Sequence, residues 1–179
     1  MILTLLPFDR VHTHGIFQLH SRRLPKNIDE RHRRYNKYLE ENRGRFLSGA
    51  FEFAEADWLY NPEDHRCPHD SWIESLEVFE KANACDIKIR TVEIKLTLLG
   101  AYHGGRIEIV YSGVTRYNIS FESGSNPYAK AHSDWLIDEI RLSESGAVIH
   151  EIEFWRDAKT IIECEDLRYS WIPFEVTQD

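Results

Sequence analysis

The chain is poor in the residues that most often fix a chemistry. Three cysteines, Cys67, Cys85 and Cys164, stand among 179 residues. The set is odd and holds no Cys-x-x-Cys pair, which argues against a disulfide framework and for free thiols in a reducing compartment. A single methionine, Met1, leaves no Met-rich adaptable groove. No apolar run approaches the roughly eighteen residues a membrane-spanning helix needs. The opening Met1-Ile-Leu-Thr-Leu-Leu-Pro7 lacks the charged start and the small-residue cleavage site of a secretory signal. The expected setting is cytoplasmic. There is no Gly-x-Ser-x-Gly nucleophile elbow and no glycine-rich phosphate loop, and His103-Gly104-Gly105 reads as a hairpin turn.

What is present is ordinary for one soluble domain spanning 1–179. Hydrophobic residues make up 42% and charged residues 29%, and the 12% aromatic content favours ordered β-structure over disorder. Net charge is -8 but uneven: nine basic residues lie between Arg22 and Arg45 against four acids, so that segment carries about +5 and the rest about -13. Such a run serves either as a solvated helix face or as a patch for nucleic acid.

Periodicity assigns the elements. Residues 2–6 and 16–19 are short apolar runs that read as strands. Asn27 is a good N-cap with Glu30 three residues on, and Ile28, His32, Tyr35, Leu39 and Asn42 then recur on one face, predicting an amphipathic helix that Gly44 ends. Phe51-Glu52-Phe53 alternates like a strand, and 61–68, with Pro62 and Pro68, reads as a polar loop. Val92, Ile94, Leu96 and Leu98 alternate with Glu93, Lys95 and Thr97, as do Val148, His150, Ile152 and Phe154 with Ile149, Glu151 and Glu153. Strict alternation is the mark of antiparallel sheets with one face buried. The expected fold is mainly β, antiparallel meanders forming a barrel or two packed sheets with one N-terminal helix; an α+β sandwich is the alternative.

Two stretches, 69–119 and 132–172, resemble each other. His69-Asp-Ser-Trp72 matches His132-Ser-Asp-Trp135 at an offset of 63, and Arg116-Tyr117 matches Arg168-Tyr169 at 52, with Ile109-Val110 against Ile161-Ile162. An internal pseudo-repeat would relate these marks. His69, Trp72, Arg116, Tyr117, His132, Trp135, Arg168 and Tyr169 would then line one ligand cavity, or merely plug strand ends.

Other chemistry is thinner. His65-Arg-Cys67-Pro-His69 offers imidazole and thiolate together, as zinc accepts them, with His12 and His14 as remote partners, although the spacing is not a known zinc pattern. Asp138, Glu139, Glu151 and Glu153 could meet across strands and do acid–base work, or form a solvent face. Cys85 lacks groups that would lower a thiol pKa, and Cys164 reads as a small core residue.

The leading functional expectation is a non-catalytic binding or protein-interaction domain of bacterial type, using a ligand cavity or an acidic surface. A metal-dependent enzyme built on His65, Cys67 and His69 and a weak nucleic-acid binder using 22–45 are the alternatives. No cofactor is expected beyond that zinc, and no membrane partner. A homodimer through an unpaired edge strand stays open, the identity of that strand being unreadable from the sequence.

Overall fold

A computed structural model describes residues 28–122 and 131–175. The expected strands at 2–6 and 16–19, the Asn27 cap, His12 and His14, and the basic residues Arg22, Arg23 and Lys26 lie outside the described residues.

The predicted helix is present as α1 (Ile28–Asn42). Tyr35 and Leu39 are buried, as their three-and-four spacing requires, while Arg34 and Lys37 on the wet side pair with Glu30 and Glu41 one turn away. A 3-10 turn, Arg43–Arg45, follows, and then a second helix, α2 (Ser48–Ala54). The strand expected around Phe51-Glu52-Phe53 is therefore helical. Ala50, Phe51, Phe53 and Ala54 are its buried residues, a one-sided set at helical spacing that three residues of alternation cannot distinguish from a strand. No local side chain caps α2. The Asp166 carboxylate does so from 116 residues away, accepting from the Ala50 N–H at 2.7 Å.

Eight strands follow: β1 (Trp72–Ala82), β2 (Arg90–Leu99), β3 (Gly105–Ser112), β4 (Arg116–Ser120), β5 (Trp135–Leu142), β6 (Val148–Phe154), β7 (Lys159–Cys164) and β8 (Asp166–Pro173). They form two packed four-stranded antiparallel sheets, ordered β1-β2-β3-β8 and β4-β7-β6-β5, with no closed barrel among the described residues. Each sheet is a three-strand meander joined by the fourth strand of the other meander. The turn at His103 and Gly104 links β2 to β3, as expected. Gly105 opens β3 because a Cβ there would stand 2.6 Å from the Trp171 ring and from the Ile172 carbonyl.

The core fills the space between the sheets. Ile94, Leu96, Leu98, Ile107, Ile109 and Tyr111 of one sheet face Ile140, Val148, Ile152, Phe154, Ile162 and Cys164 of the other. These are the inward members of the alternating runs, so the buried face follows from strand period alone. Among the described residues no helix is long and apolar enough to cross a membrane.

Candidate functional site

The eight residues expected to share a cavity do not line a single one, although backbone hydrogen bonds from Asp70 to Trp135 and from Trp135 to Ser71 bring the two His-x-x-Trp segments together. Trp135 and His69 line one recess of about 320 Å³, together with Tyr60, Cys67 and Trp155. Trp72 and His132 line another of about 410 Å³, beside Arg156. Trp72 sits edge-on to His103, and the His132 ring packs over Phe121. Arg116 is exposed on β4 and pairs with Glu163 at 2.8 Å, and Tyr117 beside it is exposed. Arg168 faces solvent, while Tyr169 packs on Phe53 and Trp58 and donates its hydroxyl to the Arg66 carbonyl. At the offset of 52, core-facing Ile109 lies opposite Ile161, which shares the outer face of its sheet with Glu151.

The metal-capable loop keeps its side chains apart. His65 stacks on Tyr102 with ring centroids 4.4 Å apart. Cys67 is buried and donates its thiol to the Leu59 carbonyl, and burial pushes that thiol up to about 11. His69 stands 3.2 Å from the Asp70 carboxylate. Among the described residues no group of three His, Cys, Asp or Glu is gathered closely enough to hold a metal. In the basic segment, the described arginines and lysines include several with acidic neighbours: Arg34, Lys37 and Arg43 pair with Glu30, Glu41 and Glu55.

The carboxylates divide between two faces. Glu139 and Glu151 are registered opposite each other on the outer face, and Arg141 reaches both, at 3.7 and 2.8 Å. Burial alone would raise the Glu151 carboxyl. Hydrogen bonds from Lys159 and Arg141 outweigh that, and its pKa lies below the usual value. Asp138 points the other way, into the core. There it accepts from the Trp135 indole N–H and lies 3.2 Å from His150 Nε2, while His150 Nδ1 lies 2.8 Å from the Tyr111 hydroxyl. The chain of Tyr111, His150, Asp138 and Trp135 joins the two sheets. A Tyr-His-Asp relay could move a proton, but all four residues are at most 3% exposed, and burial holds the Tyr111 phenol well above its ordinary pKa. Each polar group in it is answered by another, which is the arrangement of a structural network. Sequence reasoning missed it, since His150 and Tyr111 look like ordinary members of alternating strands.

The sheet edges supply the other notable geometry. At β5, the hydrogen bond from Ser143 N–H to Ala147 O closes the hairpin with β6, so alternate residues Asp138, Ile140 and Leu142 turn their backbone outward. Tyrosines meet them. Tyr35 Oη donates to the Ile140 carbonyl at 2.9 Å and accepts from its N–H at 3.1 Å. Tyr38 Oη accepts from the Leu142 N–H, and Tyr60 Oη donates to the Asp138 carbonyl. The β8 edge lies under α2, whose Gly49 fits so closely that a Cβ would come 2.0 Å from the Leu167 carbonyl. The β4 edge is only five residues long.

The β1 edge is different. β1 is eleven residues long, and no described residue hydrogen-bonds to its free side. Its second half, the turn and the start of β2 form an arm in which every residue from 77 to 91 is exposed. Four large apolar side chains sit on that arm: Val78 at 43% exposure, Phe79 at 39%, Ile87 at 77% and Ile89 at 54%. Val78 belongs to the core-facing side of the sheet, opposite the buried Ile94, but stays exposed on the edge strand. Compared with family models, curated proteins and solved structures, the chain matches none.

Proposed function

We propose that this chain is a non-catalytic protein-interaction domain that binds through the β1–β2 arm. The observation that carries the reading is the run 77–91, exposed at every residue, with its four large apolar side chains. Apolar groups exposed on both faces of a hairpin cost hydration unless a partner covers them, and exposed apolar surface of this kind marks contact sites. The groups that would do chemistry support it from the other side. Tyr111, His150 and Asp138 bond to one another inside the core, and the Cys67 thiol is held protonated by burial. Three free cysteines fit a cytoplasmic setting. The ligand-cavity form of the reading is the weaker one, because the residues expected to line one cavity are divided between two recesses and the surface.

A photocrosslinking residue in place of Ile87, in the full chain incubated with cell extract, tests this. Discrete adducts are expected, and they should vanish when Val78 and Phe79 are both changed to Ser. The same residue in place of Glu144, exposed in the β5–β6 turn, should give none. Equal labelling from both positions, or none from Ile87, would contradict the reading.

A further inference from the structure

We infer that the partner of the β1 edge is a second copy of this chain, joined by antiparallel β1–β1 pairing centred on Phe79. The inference rests on the interaction reading above and supplies its partner.

Backbone geometry determines which groups are on offer. Asn83 N–H bonds to the Ile89 carbonyl at the arm's turn, so odd-numbered residues of β1 from Ser75 on face β2. Even-numbered residues, Leu76, Val78, Glu80 and Ala82, direct their N–H and C=O groups outward. A second strand can pair there only in registers that bring even residues opposite even ones and keep each face of the sheet matched.

Side chains choose among those registers. Centred on Glu77, the pairing sets Glu77 against its own copy, and centred on Glu80 it does the same for Glu80. Like charges directly opposite are unfavourable. Centred on Val78, Glu77 meets Phe79 and Lys81 meets Ser75. Centred on Phe79, the outer face carries a Phe79–Phe79 pair flanked by Glu77 against Lys81 on each side. On the inner face Val78 lies beside Glu80, and Leu76 beside Ala82. This register pairs opposite charges twice and covers the aromatic ring. Lys81 already holds Glu93 of its own chain at 2.6 Å, and in this register it bridges that carboxylate and the second copy's Glu77. Repulsion between two chains of net charge -8 is screened beyond about 8 Å at physiological salt. The product is one continuous eight-stranded sheet.

Sedimentation of the purified full chain at physiological salt should show a dimer. Glu77→Lys or Lys81→Glu alone should weaken it on the order of tenfold or more, and the two changes together should restore it. Both positions are exposed, so folding is not at stake. Cys85 is exposed while Cys67 and Cys164 are buried, so a spin label attached to native protein reports the arm. Six residues on either side of the two-fold at Phe79 place the two labels about 40 Å apart, at roughly 3.3 Å per residue. A monomer at all concentrations, a double variant as weak as the single ones, or a label separation under about 20 Å would overturn the inference. A monomer whose arm still crosslinks to other proteins would overturn the homodimer and leave the interaction reading standing.

Discussion

Two edge strands of this molecule carry the same liability and are handled in opposite ways. β5 and β1 both end a four-stranded sheet, and both turn the backbone of their even-numbered residues outward. At β5 three tyrosine hydroxyls, two from α1 and one from the loop after α2, bond the exposed peptide groups, and Tyr35 satisfies both the donor and the acceptor of Ile140. A hydroxyl can both give and take a hydrogen bond, so a helix can seal a strand edge without becoming a strand. At β1 the described residues offer no such cover, and the strand displays apolar side chains as well as peptide groups. One edge is closed by the fold; the other is left open by the described residues.

The contrast can be broken from the closed side first. Tyr35→Phe would strand both the N–H and the C=O of Ile140 in a buried place, and should cost about 3 kcal/mol of stability in chemical denaturation. A loss below about 0.5 kcal/mol would mean that the hydroxyl does not seal the edge. Tyr38→Phe orphans one donor, that of Leu142, and should cost about 1–2 kcal/mol. Asp166→Ala, which uncaps the α2 helix lying over the β8 edge, should cost about 1 kcal/mol, and Asp166→Asn less. On the open side the expected change in stability is smallest. Val78→Pro removes only an outward-facing N–H, the one place a strand tolerates proline. It should abolish the dimer in sedimentation while the far-ultraviolet circular dichroism of the fold is kept.

Much of this architecture was legible in the sequence, for a definite reason. The alternation from Val92 to Leu98 and from Val148 to Phe154 reports which side of each strand faces the core, and the structure buries those faces, with Ile149 buried on the opposite side as well. The spacing of Tyr35 and Leu39 did the same for α1. α2 was not legible because it is seven residues long and owes its N-terminal hydrogen bonds to Asp166, far along the chain. Edge position was not legible either. Periodicity describes a strand's two faces but says nothing about which strands flank it, such as the setting of β8 beside β3 and of β4 beside β7.

The candidate site shows the same limit. His69-x-x-Trp72 and His132-x-x-Trp135 look alike on paper, yet Trp135 is 1% exposed with its indole bonded to Asp138, while Trp72 is 37% exposed beside His103. Similar local sequence met different neighbours. The arm was hidden for a related reason: only the three-dimensional packing shows that Val78, Ile87 and Ile89 stand exposed.

Amide hydrogen exchange, followed residue by residue across protein concentration, tests the comparison most directly. The N–H groups of Ile140 and Leu142 should be protected at every concentration, since the seal is intramolecular. Those of Leu76, Val78, Glu80 and Ala82 should exchange rapidly in dilute protein and become protected as the concentration rises through the dimer's dissociation constant. Protection of Val78 independent of concentration, or rapid exchange of Ile140, would contradict the account.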